Sequence, residues 1–223
     1  MATREAEQMA AVVAQHAPRL RAAGFRKRRH SFNRTVGDGL VHVVHFWAAP
    51  KEPPAWTEVP GLRARLHGTF RLEVGVHVPE MTRTGTPRSA SWVNEYDCHL
   101  RRTAAELLGE EGGLWWRLDH PGAAAEPGRV LEEHALPWLD RFPDRAALVA
   151  AFERDGWLAL GMGPAAPLDV ADLHRATGRP DDERRLLEAY LAEPVLRHHA
   201  DYLAEHLRAR GHPDLVERIT VVD

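Results

Sequence analysis

The chain has 223 residues, of which 44% are hydrophobic and 27% are charged, with a net charge of −3. This composition is ordinary for a soluble globular protein, and the length allows one large domain or two small ones. No stretch approaches 18 consecutive apolar residues, which predicts that no segment spans a membrane.

The cysteine and lysine content indicates a compartment and a source. Cys98 is the single cysteine, which excludes an internal disulfide and is typical of a reducing cytosol. Glu5 and Glu7 occupy positions where a signal peptide would carry positive charge. The basic residues are nearly all arginine, and alanine is abundant, as in proteins from bacterial genomes of high GC content. We therefore expect a cytoplasmic bacterial protein.

Charge is distributed unevenly along the chain. Residues 1–118 contain 17 Lys and Arg against 12 Asp and Glu, whereas residues 119–223 contain 12 against 20, so the net charges are +5 and −8. This asymmetry indicates two halves with different surfaces. It is too small to indicate a nucleic-acid-binding protein.

The first predicted element is a helix over residues 4–23. Thr3 is a suitable N-cap, Gly24 provides the stop, and Pro18 predicts a kink or an early end. The periodic positions of the helix are Met9, Val12, Val13, His16 and Leu20.

Three strand patterns follow. Residues 25–35 and 40–47 flank the turn "VGDGL" and predict a β-hairpin. After a Pro-rich loop, "TFRLEVGVHVP" (69–79) alternates apolar and polar residues, which predicts one face in a core and one in water. The predicted wet face carries Arg71, Glu73, Gly75 and His77. A polar loop with Gly85 and Pro87 then leads to a further strand-like run, "LWWRL" (114–118).

The chain is predicted to be helical beyond Asp119. A first helix is interrupted by Pro137, a second ends at Gly156, and three shorter helices follow after "GMGPAAP". They resemble helical-hairpin repeats but have no repeat period, so we expect a small helical cap. The predicted fold class is α+β: an N-terminal helix packed on an antiparallel β-sheet, followed by a helical C-terminal part. The predicted domains are residues 1–156 and 157–223.

Short motifs in this order carry a family resemblance. They are Gly24, Phe25, Phe32 and Arg34; Gly75 and Val76; Cys98, His99, Arg101 and Arg102; and Trp115 and Trp116. With them, residues 5–153 resemble the bacterial domain of unknown function family 4304. The chain departs from that family near Trp47, where a glutamine is expected, and from Leu158 onward. That family has no assigned activity, so the resemblance implies the α+β fold and leaves the function open.

The run "GFRKRRHSFNR" (24–34) raises the question of nucleic-acid binding. On one continuous strand, Arg26, Arg28 and His30 would lie on one face and Lys27 and Arg29 on the other, whereas a phosphate-binding patch needs them together. We therefore favour a solvated or edge strand, with an acidic protein partner and nucleic acid as alternatives.

The histidines and the cysteine raise the question of a metal or a nucleophile. His42 and His45 face opposite sides of a strand, whereas His45 and His77 can share a face. Adjacent Cys98 and His99 have poor geometry for a thiolate–imidazolium pair, which favours a buried, inert cysteine. No zinc, phosphate-loop or hydrolase motif is present, so we predict no metal, no cofactor and no assigned catalytic residue. His199 and His206 share one face of the last helix, which we expect to be solvated.

Trp115 and Trp116 must face opposite sides of their strand, so one is expected in the core and one at a surface. Our leading hypothesis is a protein-binding accessory or immunity-type factor that recognises an acidic protein. Its predicted surface consists of Arg26, Arg28, Arg34, Trp47, Arg101 and Trp116. One alternative is a ligand-binding or enzymatic domain with a pocket between sheet and cap, lined by His45, His77, His99 and Arg102. The other is nucleic-acid binding.

Overall fold

The structure is a computed structural model that describes residues 3–37, 39–49, 66–81 and 91–222. The Pro-rich loop and the loop with Gly85 and Pro87 lie largely outside these ranges. The strands are β1 (Arg26–Arg28), β2 (Ser31–Val36), β3 (Leu40–Ala48), β4 (Thr69–His77), β5 (Leu100–Thr103), β6 (Trp116–Arg117), β7 (Val195–Leu196) and β8 (Val221–Val222).

The helices follow a similar order along the chain. They are α1 (Arg4–Ala22), α2 (Ala104–Leu108), α3 (Ala125–Val130), α4 (Leu136–Asp140), α5 (Arg145–Ala159), α6 (Ala166–Ala176), α7 (Pro180–Tyr190) and α8 (Arg197–Ala209). Short 3₁₀ helices cover Glu95–Asp97 and Pro213–Arg218, and a π-helical turn covers Leu131–Ala135.

The chain divides into two units. Unit 1 consists of Met1–Pro79 and Thr86–Met162, and unit 2 of Glu80–Gly85 and Gly163–Asp223. The predicted domain boundary lies a few residues before this division.

Unit 1 contains an antiparallel sheet in the order β1-β2-β3-β4-β5, with β6 paired to the same strand as β5. The predicted α+β class is therefore confirmed. The predicted hairpin forms between β2 and β3, with Val36 opposite Leu40. The single strand predicted over residues 25–35 is wrong, because the chain reverses at Arg29 and His30 and β1 pairs back onto β2.

One face of the sheet packs against α1. Thr3 caps this helix by accepting a hydrogen bond from the Ala6 amide at 3.3 Å, and the helix continues past Pro18. The His16 ring stacks on Phe46 of β3, with 5.3 Å between ring centroids. Large side chains from three strands complete this core, and each is fully buried: Phe32, Phe46, Phe70 and Leu72.

The opposite face is covered in part by the segment before β5. Val93 and Cys98 pack on Val43, and a Cβ at Gly75 would lie 2.6 Å from the Cys98 Cβ, so only glycine allows this approach. Consequently the predicted wet face of β4 is wrong at Glu73, Gly75 and His77, which are all buried, and Glu73 is only 3% exposed. Alternation in the sequence could not reveal this, because the cover comes from a distant segment.

The predicted interruption at Pro137 takes the form of a wider turn. Proline lacks the amide that would bond to the carbonyl four residues earlier, at Glu133. That carbonyl lies in the π-helical turn between α3 and α4. At Gly156 the backbone leaves helical geometry with φ of 75°, as the predicted stop requires.

Unit 2 has its own apolar core. Its buried members come mainly from α6, α7 and α8: Leu168, Ala171, Leu187, Leu191, Leu203, Leu207 and Leu215. The predicted solvated face is wrong for His206, which is 8% exposed and lies 3.8 Å from the Asp172 carboxylate. The helical C-terminal part is confirmed. Within the described residues, no helix combines the length and apolar character needed to cross a membrane.

Candidate functional site

A row of polar residues crosses the centre of the sheet in unit 1. Ser31 is the register partner of His45, and His45 is the partner of Glu73. Directly paired residues of an antiparallel sheet project to the same face, so these three side chains are neighbours. They border a cavity of about 350 Å³, the His45–Glu73 pocket. Its lining residues are Ser31, His45, Trp47, Arg71, Glu73, Asn94, Glu95, Tyr96 and Arg101.

Two buried carboxyl groups meet in the pocket. Glu73 comes from β4, and Glu95 comes from the 3₁₀ turn above the sheet, where it is 7% exposed. Each has an arginine partner: Arg71 pairs with Glu73, and Arg101 pairs with Glu95. The formal charges of the pocket therefore balance.

The environment of Glu73 favours its protonated form. Burial, followed by the negative charge of Glu95, raises the pKa of Glu73 to about 7, although the Arg71 charge opposes the shift. The Glu73 carboxyl is therefore divided between its neutral and ionised forms near neutral pH. Such a group can both donate and accept a proton.

His45 and Ser31 add two neutral polar groups. Burial lowers the pKa of His45, with a smaller opposing effect from Glu95, so its imidazole is neutral at pH 7. The Ser31 Oγ is buried and has no hydrogen-bond partner among the described residues. Buried polar atoms are usually hydrogen-bonded, so the Ser31 hydroxyl is available to a bound molecule.

Aromatic rings form one wall of the pocket. The Arg71 guanidinium carbon lies 4.8 Å from the Trp47 ring centroid and 5.1 Å from that of Trp115. The two indoles meet edge to face, with 5.4 Å between centroids. These contacts hold Arg71 in place and fix the charge that faces Glu73.

A second, larger cavity adjoins the pocket. Its volume is about 770 Å³, and it shares Ser31, His45 and Asn94 with the pocket. We call it the basic groove, since its remaining lining residues are Ala10, Lys27, Arg28, Arg29, His30 and Trp92. It lies at the β1–β2 turn on the edge of the sheet. Side chains from both faces of β1 reach it there, which strand alternation alone did not predict.

Four of the predicted binding residues lie at these cavities. His45, Trp47 and Arg101 line the pocket, and Arg28 lines the groove with its guanidinium carbon 6.0 Å from the Trp92 ring centroid. Arg26 is exposed on β1 and lines neither cavity.

Three other predicted residues have structural contacts. Arg34 donates to the Asp140 carboxylate at 2.5 Å and contacts the His42 ring at 3.0 Å. Arg102 donates to the Leu158 carbonyl at 2.8 Å. Trp116 is buried against Phe70. The predicted protein-binding surface is therefore not one continuous patch.

The predicted histidine pocket is also not assembled as a group. His77 and His99 stack on each other, with 5.1 Å between ring centroids. The His99 Nδ1 accepts a hydrogen bond from the Val78 amide, and the His77 Nδ1 lies 3.1 Å from the Asp97 carbonyl. Neither lines the pocket or the groove.

Sequence reasoning missed the acidic centre of the site. Glu73 was recognised only as a polar position on β4, and Glu95 lies in a segment without periodicity. The signal that was available is the hairpin register, which places His45 beside Ser31 once the turn is fixed. Trp115, rather than the predicted Trp116, contacts the site.

Within the described part of the chain, no group of three or more His, Cys, Asp or Glu side chains is arranged to hold a metal ion. Comparison with protein-family models, with curated proteins and with solved structures finds no match to this chain. The resemblance to family 4304 therefore stays a prediction, and the pocket itself is the basis for a functional argument.

Proposed function

We propose that unit 1 is a small-molecule-binding domain, and that its His45–Glu73 pocket binds an uncharged polar group and exchanges a proton with it through Glu73. One observation carries this proposal. Ser31, His45 and Glu73 form a continuous row on three paired strands, and that row borders a cavity.

The chemistry of the lining supports an uncharged ligand group. The arginines already pair with the two carboxylates, so an ionic ligand would have to displace an existing partner. A hydroxyl, amide or ring nitrogen can instead use the Ser31 hydroxyl, the Asn94 amide and the shared proton of the carboxyl pair. The volume of about 350 Å³ lies within the range of small-molecule sites.

An acidic protein partner remains our second proposal, and one observation favours it. Arg26, Lys27, Arg28 and Arg29 are exposed on or beside the edge strand of the sheet. Its weakness is that Arg34 and Trp116 have structural partners elsewhere.

The test is a ligand-observed NMR screen of neutral polyols, amides and heterocycles against the full chain. We expect at least one compound to bind the wild type and to lose about tenfold in affinity with Glu73→Gln and with His45→Ala, since a buried polar group that loses its hydrogen-bond partner costs about 1–3 kcal/mol. Glu133→Gln is the matched control, because this exposed glutamate lines neither cavity.

Two results would contradict the proposal. The first is a screen in which no compound binds. The second is a set of compounds that bind Glu73→Gln and His45→Ala as tightly as they bind Glu133→Gln. Far-ultraviolet circular dichroism of each variant establishes that the fold is retained.

A further inference from the structure

The cations of the basic groove differ from most other arginines of unit 1. Arg19, Arg34, Arg71, Arg101, Arg102, Arg117, Arg141 and Arg154 each have a carboxylate partner. In contrast, no carboxylate among the described residues pairs with Lys27, Arg28 or Arg29, and no acidic residue lines the groove. Three cations that pair with no carboxylate in the described part of the chain therefore line one cavity.

The backbone holds these charges together at some conformational cost. Arg29 has φ of 54° and is the non-glycine residue with positive φ in the described chain. A left-handed conformation costs an L-residue roughly 1–2 kcal/mol, and hairpin turns of this kind usually place glycine or asparagine there. An arginine at such a turn position is a reason to look for a function of its side chain.

The groove and the pocket have complementary charge properties. The pocket contains two arginines and two glutamates whose charges balance, whereas the groove contains the half-buried Trp92 and three cations that no described carboxylate pairs with. They share Ser31, His45 and Asn94, so the two cavities are adjacent. We propose that the basic groove binds the phosphate group of a small organic phosphate whose uncharged polar end occupies the His45–Glu73 pocket.

This inference rests on the proposed function for the uncharged end, but the phosphate site stands on its own observations. His30 provides an internal reporter because it lines the groove beside the cations. Burial, followed by the charges of Lys27 and Arg29, lowers the pKa of His30. A bound phosphate dianion offsets part of this positive charge and therefore raises that pKa.

The experiment uses inorganic phosphate, ribose and ribose 5-phosphate as probes, with histidine resonances followed by NMR on the full chain. We expect inorganic phosphate to raise the pKa of His30 by about one unit. His42 lies on the opposite face of β3 and should not respond. Ribose 5-phosphate should bind more tightly than either inorganic phosphate or ribose, since it can occupy both cavities.

The test variant is Lys27→Ala combined with Arg29→Gly. It removes two charges and, because glycine accepts a positive φ, leaves the turn relaxed. We expect phosphate affinity to fall tenfold or more. Arg26→Ala is the matched control: it removes a cation from the same strand but outside the groove, and it should change affinity less than twofold.

The outcomes separate the two proposals. If phosphate does not move the His30 resonances, or if Arg26→Ala weakens binding as much as the double variant, the phosphate site is wrong. Suppose instead that phosphate binds, that ribose 5-phosphate binds no more tightly than phosphate, and that Glu73→Gln does not change the affinity for ribose 5-phosphate. The pocket proposal then fails and the phosphate site stands. If a single-stranded oligonucleotide binds more tightly than ribose 5-phosphate, and if Arg26→Ala weakens that binding as much as the double variant does, the ligand is nucleic acid and the small-phosphate proposal is wrong.

Discussion

Glu73 shows how a carboxyl group acquires unusual chemistry from its position in a sheet. Its register partners are His45 on one side and Thr103 on the other, and Glu95 approaches from the 3₁₀ turn. Water is largely excluded, so the carboxylate loses solvation that the Arg71 contact only partly replaces. The site therefore holds a proton at a pH where most glutamates have lost theirs.

The Glu73→Gln variant tests whether Glu73 holds a proton near neutral pH in the folded chain. The pKa of Glu73 is about 7 in the folded chain and about 4.5 in its ordinary state, so the folded state holds the proton more tightly. That stabilisation is complete below pH 4.5 and is lost as the pH rises through 7. Glutamine does not titrate. We expect the free energy of unfolding of Glu73→Gln, relative to wild type, to rise by on the order of 3 kcal/mol from pH 4.5 to pH 8.

Urea unfolding at several pH values measures this difference, and ¹³C NMR of the Glu73 carboxyl measures the proton directly. The comparison uses the pH dependence, so a constant loss of stability from the unpaired Arg71 does not affect it. A difference that is independent of pH, together with a Glu73 midpoint near 4.5, would contradict the assignment.

Single residues were the hardest features to predict from sequence. The sequence predicts His45 for a ligand pocket and Trp47 and Arg101 for a protein-binding surface, and all three line the His45–Glu73 pocket. Glu73 was not predicted as a site residue, because its burial depends on a segment more than twenty residues later in the chain. Trp116 was chosen over Trp115 because the alternation of a strand does not say which face is the core.

The link between α5 and β5 illustrates a constraint at the level of elements. The chain leaves α5 near Gly156 and then passes beside β5, where the Arg101 amide donates to the Gly161 carbonyl at 3.2 Å. Gly161 has φ of 68°, and a Cβ there would overlap the carbonyl oxygen of Arg101. The close approach therefore requires a glycine, and it helps to position Arg101 at the pocket.

Two glycine substitutions separate these effects. Gly156 has φ of 75° but no neighbouring atom within 4 Å of a Cβ, so Gly156→Ala should cost only the conformational term of about 1–2 kcal/mol. Gly161→Ala adds an overlap with backbone and should cost about 2–5 kcal/mol in total. Chemical denaturation measures both values. Equal losses at the two positions would show that the contact with Arg101 is unimportant.

The elements themselves were largely predictable, and the exceptions have local causes. Residue periodicity and capping predicted α1 and the three helices of unit 2, and the glycines of the turn predicted the β2–β3 hairpin. The β1–β2 turn was missed because it contains Arg29 and His30, which carry no turn signal. Arginine in place of the usual glycine or asparagine at this turn is also the observation that supports a binding role for the groove.

At the scale of the whole molecule, the spacing of apolar residues along the sequence predicted the α+β class and a helical C-terminal part. Apolar residues alternate with polar ones in the strands of the N-terminal half, whereas they recur at helical spacing in the C-terminal half. Each unit buries its own apolar core. The candidate site was less predictable. It is formed by neighbouring strands of the sheet and by the segment before β5 that covers them. Residues brought together in this way are far apart in the chain, so they leave no local sequence motif.

The pH dependence of the whole chain should reflect opposing buried groups. Burial lowers the pKa of His42 to about 4 from 6.5, so the unfolded state takes up a proton first and stability is lost as the pH falls from 6.5 through 4. The pKa values of His16, His45 and His206 are lowered in the same direction, whereas Glu73 acts in the opposite direction between pH 4.5 and 7.

We therefore expect wild-type stability to rise only weakly from pH 5 to 7, with a steeper rise in Glu73→Gln and a shallower one in His42→Gln. Each group that titrates only in one state changes the slope by up to about 1.4 kcal/mol per pH unit. Urea unfolding at half-unit pH steps measures the three slopes, and the same order should appear in the proton uptake on unfolding. Parallel slopes for the three proteins would contradict the opposing effects, even if the variants differ in absolute stability.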